Sequence, residues 1–313
     1  MSAPDTVTEP LWVVTGPTAA GKSALALEVA ERQGCAILSM DSMAVYRRMD
    51  LGTAKPGPAE RAHVPHHLID LVEPHELFDT ARWCAAAAAA VVEVRAAGRR
   101  PLFVGGTPLY LMAFFKGLMP GPAADPALRA RLLQRERDHP GTLHADLQRR
   151  DPEAAARIHR RDEKRLVRAL EVLELTGRPI SDQQSQFGAA GWARPCRIVA
   201  IDRPRAELHA RVRTRTEAML AKGLLDEVRA IADSGGFSPT AAAAIGYSEC
   251  LDFLRGRYKD LEELRNRIRR NTHRLIRRQT TWLRRLPTIH WLSPSAGAAA
   301  VHDALAAPAM SPD

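Results

Sequence analysis

Gly16-Pro17-Thr18-Ala19-Ala20-Gly21-Lys22-Ser23 has the form G-x-x-x-x-G-K-[ST]. A loop of this kind presents backbone N–H groups to phosphate oxygens, its lysine adds a point charge, and its hydroxyl is suited to Mg²⁺. The site therefore predicts binding of a di- or triphosphate group. Two further polar clusters have the makings of chemistry: Asp41-Ser42-Met43, and Gly105-Gly106-Thr107. A carboxylate at Asp41 could reach Mg²⁺ through water or act as a base for a nucleophile approaching the bound phosphate ester. It could also cap the helix-like segment that follows. A second strand-end carboxylate, Asp202, is a weaker metal candidate because it opens an Arg203-Pro204-Arg205 turn. Nucleotide kinases and ATP-driven motors share the phosphate loop, so the loop alone leaves its ligand open.

The elements that must hold these clusters alternate short apolar runs with helical patterns, as a parallel sheet requires. Strands are predicted at 11–15, 35–39 and 101–104, and each ends in one of the three clusters. A helix at 23–32 follows the loop. Ligands of open α/β sheets sit beyond the carboxyl ends of strands, so the clusters are expected to line one crevice. Strands return at 198–201 and 288–292. Between the strands at 101–104 and 198–201, 122–195 reads as a helical insertion, with starts at Asp151-Pro152-Glu153 and Asp162-Glu163, and a stop at Thr176-Gly177-Arg178-Pro179. Residues 181–190 read as a mobile connection. The division is thus a tail at 1–10, a core at 11–121, the insertion at 122–195, the rest of the core at 196–292 and a second tail at 293–313. The fold class is α/β, a P-loop, nucleotide-kinase-like parallel sheet with an inserted helical domain.

With 313 residues, 45% hydrophobic and 26% charged, the chain is neither fibrous nor disordered in composition. The alanine tract 85–90 is too short for a membrane span and reads as a buried helix. Residues 1–10 lack the apolar run of a secretory signal. The four cysteines form no C-x-x-C pair and have no histidine at zinc spacing. A cytoplasmic, monomeric protein without membrane association is expected. The net charge is +9, and the segment 255–285 holds twelve Arg or Lys against three Asp or Glu. It alone accounts for the excess, and a positive field so concentrated suits nucleic acid. Leu261, Leu264, Ile268, Leu275, Trp282 and Leu283 recur at helical steps there, which assigns Trp282 to the core and leaves the arginines for phosphates.

Ordered motifs from about 11 to 292 make a more specific match. The phosphate loop is followed by Asp41-Ser42-Met43-Ala44-Val45-Tyr46 and by Asp50-Leu51-Gly52-Thr53-Ala54-Lys55-Pro56. Then come Gly105-Gly106-Thr107-Pro108-Leu109-Tyr110, Arg157-Ile158-His159, Arg165-Leu166-Val167-Arg168-Ala169-Leu170-Glu171, Ala244-Ile245-Gly246-Tyr247 and Arg278-Gln279-Thr280-Thr281-Trp282-Leu283-Arg284. In these the chain resembles the bacterial tRNA dimethylallyltransferases, also called isopentenyl-tRNA transferases. The resemblance implies transfer of a dimethylallyl group from dimethylallyl diphosphate to N6 of the adenosine immediately 3′ of the anticodon, with release of pyrophosphate.

By that resemblance the eight residues from Gly16 to Ser23 hold the diphosphate. Thr18 and Lys22 contact it, and Ser23 helps hold Mg²⁺. Arg215 clamps the leaving group, and Asp41 is the general base, with Thr107 beside it in the catalytic set. Asp41, Ser42 and Thr107 would lie beside the target base, and Met43, Ala44, Ala244, Ile245, Gly246 and Tyr247 would also bind the tRNA. Arg129 and Lys164, Arg165, Leu166, Val167 and Arg168 would hold the anticodon stem-loop. Lys164 and Arg165 fall in the first turn of a predicted helix, where cations oppose the macrodipole, so a role beyond helix stability is one reading and neutralisation by Asp162 and Glu163 the other. Many relatives carry Gln where Ala44 stands, so any hydrogen bond from that side chain is missing. The competing functions are a P-loop kinase of a small metabolite or nucleotide, and an RNA-binding protein that is ATP-driven or purely structural.

Overall fold

The computed structural model describes residues 9–117, 121–183, 192–286 and 288–307. Pro120 and most of the connection at 181–190 lie outside these. Six strands form one parallel sheet: β1 (Leu11–Thr15), β2 (Cys35–Ser39), β3 (His66–His67), β4 (Arg100–Val104), β5 (Cys196–Ile201) and β6 (Ile289–Leu292). Their order is β3-β2-β4-β1-β5-β6. The three strands that end in chemistry-bearing clusters are therefore neighbours, β2, β4 and β1. All five predicted strands are present, within two residues at their starts. The two-residue β3 at the sheet edge was not expected, since its His-His carries no alternating pattern.

Both faces of the sheet are covered, which is why β1 and β4 read as continuous apolar runs. One face packs Trp12, Val14, Leu102 and Val199 against the Lys22–Gln33 and Gly297–Ala306 helices. On the other, Phe103 meets Trp83, Phe114 and Phe115, and Trp83 stacks on Tyr110 at 4.2 Å. Trp83 belongs to the Thr80–Ala96 helix that carries the alanine tract, capped by the Asp79 carboxylate accepting from Arg82 N–H. This helix is only half buried: Ala87, Ala90, Val91 and Val94 face the core while Val92 is exposed.

The described residues fall into two compact units, those within Met1–Phe115 and Ala193–Asp313, and those within Lys116–Trp192. The second unit is helical. Asp125, Asp151 and Asp162 each cap a helix, over Pro126–Asp138, Pro152–Arg157 and Glu163–Thr176, and Gly177 ends the last at a φ of 69°. Leu128, Leu132, Leu143, Leu166, Val167 and Leu170 fill its core.

Glu171 has a fully buried side chain on the Glu163–Thr176 helix. It accepts from Arg129 Nε at 2.7 Å and Nη2 at 2.8 Å, from Arg168 Nη1 at 2.7 Å and from Asp125 N–H at 2.8 Å. Burial pushes its carboxyl up, but the hydrogen bonds from Arg129 and Arg168 outweigh it and hold the group below the usual carboxylate range. Its contribution to stability is thus present above that range and lost as the pH falls through the depressed value. Replacing Glu171 by Ala leaves two guanidinium groups without their shared carboxylate, and is expected to cost about 3 kcal/mol. Urea denaturation followed by circular dichroism measures this, and a loss below about 0.5 kcal/mol, the range of ordinary surface changes, would contradict it.

In the basic segment, the Leu261–Leu283 helix buries Leu264, Ile268, Ile276, Gln279 and Leu283. Two expected core positions are not core: Leu261 is 42% exposed and Trp282 40%. The true stripe advances mostly by four residues and includes a glutamine, so counting only apolar side chains rotated the face toward Trp282.

Candidate active site

The phosphate loop leaves β1 at Thr15, whose Oγ1 donates to the Gly105 carbonyl at 2.8 Å. Gly16 has φ +140°, and a Cβ there would stand 2.9 Å from the Ile201 carbonyl oxygen, so neither the backbone nor the space accepts a side chain. Gly21, at φ +95°, opens the Lys22–Gln33 helix. Ala19 also adopts a positive φ, 66°. That shape is held from outside the loop. Arg203 Nε donates to Ala20 O at 3.1 Å, Arg211 Nε to Ala19 O at 2.8 Å, and Arg215 Nη1 to Thr18 Oγ1 at 3.4 Å. Gln279 accepts from Thr18 N–H at 2.8 Å and donates from Nε2 to Gly106 O at 2.6 Å. A single buried amide thereby bridges the loop after β1 and the loop after β4.

The Asp41 loop is built by backbone proximity. Met40 N–H donates to Val104 O at 2.8 Å, and Thr107 N–H to Met40 O at 3.3 Å. Gly105 is required there, because a Cβ would fall 2.1 Å from the Met40 carbonyl oxygen. Asp41 Oδ1 accepts from Met43 N–H at 2.8 Å, a turn closed by its own side chain. Thr107 Oγ1 accepts from Ser42 N–H at 3.2 Å.

These loops enclose a cavity of about 300 Å³. Thr18, Lys22, Asp41, Ser42, Thr107 and Arg215 line it with polar groups, while Val212, Met219, Ile268 and Leu275 supply apolar wall. Lys22 and Arg215 bring two cations to it and Asp41 one carboxylate. Burial chiefly, and Arg215 secondarily, lower the Lys22 ammonium to about 8 against the opposing pull of Asp41. Arg215 is likewise pushed below its ordinary value by burial, and Asp41 opposes this too. Lys22 is charged below about pH 8 and neutral above it, so anion binding to the free protein is expected to weaken as the pH rises through that value. The kcat/KM for a diphosphate substrate reports the free enzyme and should bend downward there. A flat profile from pH 7 to about 9.5 would contradict the Lys22 environment.

A further loop closes one side. Lys55, 1% exposed, ties Asp50 Oδ1 and Asp70 Oδ1 at 2.6 Å each and donates to Tyr46 O at 2.7 Å. Glu227 accepts from Leu51 N–H at 2.9 Å and from the Tyr247 hydroxyl at 2.5 Å. The Gly52 N–H donates to that hydroxyl at 3.2 Å. A Cβ on Gly52 would stand 2.2 Å from the Tyr247 ring, so glycine is needed for this approach. Gly52 and Thr53 are thus presented to the cavity.

Of the expected site residues, Thr18, Ala19, Lys22, Asp41, Ser42, Met43, Thr107, Arg215, Ala244, Ile245 and Gly246 line this one cavity. Others do not. Ser23 is exposed and outside the lining, and Gly16, Pro17, Ala20 and Gly21 shape the loop behind it, with Pro17 O accepting from Lys22 Nζ at 3.3 Å. Ala44 is buried, and the buried Tyr247 spends its hydroxyl on Gly52 and Glu227, so it positions a loop and does not offer that group to an RNA. Leu166 and Val167 are core residues of the helical unit, which removes their side chains from RNA contact. Arg129 and Arg168 are engaged with Glu171, and Arg165 Nε lies 3.4 Å from Asp162, the neutralising partner. Asp202 lines a different cavity. Gln279, Arg278 and Thr272 belong to the site without any role read from sequence, whereas Gly106 lines it as its strand-end cluster predicts. The signal for Gln279 was a polar residue four before Leu283 on the buried face.

The order of the sheet and the loop after β1 define the class: a P-loop α/β protein of nucleotide-kinase-like architecture with a helical insertion. Family models agree on something narrower. The IPP transferase model matches residues 44–286 and the isopentenyl transferase model residues 9–70. A tRNA dimethylallyltransferase of Anaeromyxobacter dehalogenans is 46% identical over 91% of this chain and 95% of its own. The tRNA dimethylallyltransferase 2 of Syntrophus aciditrophicus is 45% identical over 91% of this chain and 92% of its own. Among solved structures, the full-length tRNA isopentenylpyrophosphate transferase of Bacillus halodurans is 35% identical, covers 91% of this chain and 90% of its own, and superposes with a TM-score of 0.67. The chain belongs to the IPP transferase family, that of the tRNA dimethylallyltransferases. The kinase alternative finds no support among these relatives.

Proposed function

We propose that the protein transfers a dimethylallyl group from dimethylallyl diphosphate to N6 of the adenosine immediately 3′ of the anticodon. The observation that carries this is the convergence of Lys22, Arg215 and Asp41 on one cavity that also has an apolar wall. The two cations suit a diphosphate, the apolar side chains a short hydrocarbon, and the carboxylate an amine. The C–O bond of the allylic diphosphate breaks as the bond from adenine N6 to the allylic carbon forms. Pyrophosphate leaves toward Lys22, Arg215 and Thr18, where donors already in place stabilise its growing charge. Asp41 takes the proton from the exocyclic amine, a weak nucleophile whose lone pair is delocalised into the ring. The base must be unstacked to reach the cavity, and Ser42, Met43, Thr107 and Gly246 are the groups that would receive it.

On the protein side a Mg²⁺ ion would be held by the loop hydroxyl of Ser23, which is exposed to solvent. Among the described residues no group of three or more His, Cys, Asp or Glu could hold a metal unaided. When bound, the ion would supply neutralising charge to the leaving group.

Incubation with labelled dimethylallyl diphosphate, Mg²⁺ and tRNA, followed by nucleoside analysis, tests the proposal. Prenylated adenosine, with pyrophosphate release that requires tRNA and ignores ATP, is the expected result. Absence of product with authentic substrate tRNA would overturn it. Among the described residues no helix is long and apolar enough to cross a membrane.

A further inference from the structure

A second cavity, of about 580 Å³, lies at the carboxyl ends of β5 and β6 and shares no lining residue with the first. Its charge is one-sided. Four arginines line it, Arg203, Arg205, Arg277 and Arg284, against the one carboxylate of Asp202. Arg203 is paired with Glu207 at 2.6 Å and Arg284 with Asp202 at 3.6 Å. Arg205 and Arg277 have no carboxylate within ion-pair distance among the described residues, and Arg205 Nε reaches only the His209 ring nitrogen, at 3.4 Å. Two guanidinium groups are therefore left to an anion from outside the chain.

The cavity is also far larger than a bare anion needs and has flat, apolar walls. The rings of His209 and His273 are stacked at 3.7 Å with 14° between planes, and Arg284 leans over the Trp291 ring at 5.8 Å. Leu208 and Ile276 complete an apolar surface. The His273 Nε2 is buried and has no hydrogen-bond partner within the described protein. Burial first, then the neighbouring His209, Arg205 and Arg269, hold that imidazole below its ordinary value.

We propose that this cavity is a second ligand site, for a nucleoside monophosphate, with the phosphate between Arg205 and Arg277 and the planar base against the His209, His273 and Trp291 rings. Volume, aromatic walls and unpaired guanidinium groups each match that ligand class. The site stands apart from the prenyl-transfer reading, and Arg203 connects the two regions through its hold on the Ala20 carbonyl.

Isothermal titration of the full-length protein with AMP, in saturating pyrophosphate to occupy the phosphate loop, tests the site. One saturable binding event is expected. It should survive Lys22→Ala and weaken at least about tenfold in the double variant Arg205→Ala/Arg277→Ala, the loss of charge-assisted hydrogen bonds. Inorganic phosphate and adenosine should each bind more weakly than AMP. No binding up to about 5 mM AMP, beyond the millimolar scale of weak specific sites, would overturn the proposal. So would binding abolished by Lys22→Ala, or phosphate binding as tightly as AMP. Displacement of AMP by an anticodon stem-loop RNA would reassign the arginines to an RNA backbone and equally overturn it.

Discussion

Asp41→Asn is expected to lower the rate of prenyl transfer by about two to four decades, the usual contribution of a positioned general base. The substitution is a clean probe because of what it preserves. Oδ1 of Asp41 accepts from the Met43 N–H, and an asparagine oxygen can accept the same bond, so the turn that presents Ser42 and Met43 is retained. Affinity for tRNA should change little. The pH profile carries a second signature. Asp41 raises the Lys22 pKa, so removing its charge should move the alkaline bend in kcat/KM below about 8. Normal turnover in the variant, or an unmoved bend, would show that Asp41 neither takes the proton nor faces the lysine.

The second large effect is at Arg215. Its guanidinium is half-buried beside Thr18 and, with Lys22, lines the cavity proposed to take the pyrophosphate. Arg215→Ala is expected to reduce kcat by about 10²–10³, the range found for loss of one preorganised donor to a developing anion. Arg215→Lys should recover only part of this, since an ammonium lacks the planar fork. The sign at Lys22 is opposite to that of the Asp41 variant. Arg215 lowers the Lys22 pKa, so its removal should shift the alkaline bend upward. Steady-state kinetics over pH 6.5 to about 10 separates the two variants by direction as well as by size. An effect confined to a raised KM, with kcat unchanged, would assign Arg215 to substrate binding alone.

Much of this arrangement was legible in the sequence because it is local. The phosphate loop, the strands that end at Thr15, Ser39 and Val104, and the capping aspartates are each encoded within a few residues of where they act. The expectation that Asp41 and the Gly105–Thr107 cluster would share a crevice with the loop followed from strand direction alone. What escaped was carried by long-range partners. Gln279 stands 261 residues from Thr18 and is surrounded in sequence by arginines, so nothing nearby marks it as a buried bridge. Arg203 and Arg211 carry no local mark of their role, yet they hold carbonyls of the phosphate loop. Lys55 and Tyr247 belong to motifs whose geometry explains them only once the Gly52 loop is seen packed against the tyrosine ring. Where polar residues occupy the inward face of a helix, as Gln279 does, an apolar count misjudges the face, and Trp282 was assigned to the core on that account.

The mechanism proposed above depends on the phosphate loop gripping an isoprenoid diphosphate whose allylic carbon faces Asp41. A crystal structure with a non-reactive thio analogue of dimethylallyl diphosphate tests it most directly. The diphosphate is expected against Thr18, Lys22 and Arg215, with the hydrocarbon between Val212, Ile268 and Leu275 and its first carbon turned to the Asp41 carboxylate. Diphosphate density at any other site, or a hydrocarbon turned away from Asp41, would contradict it.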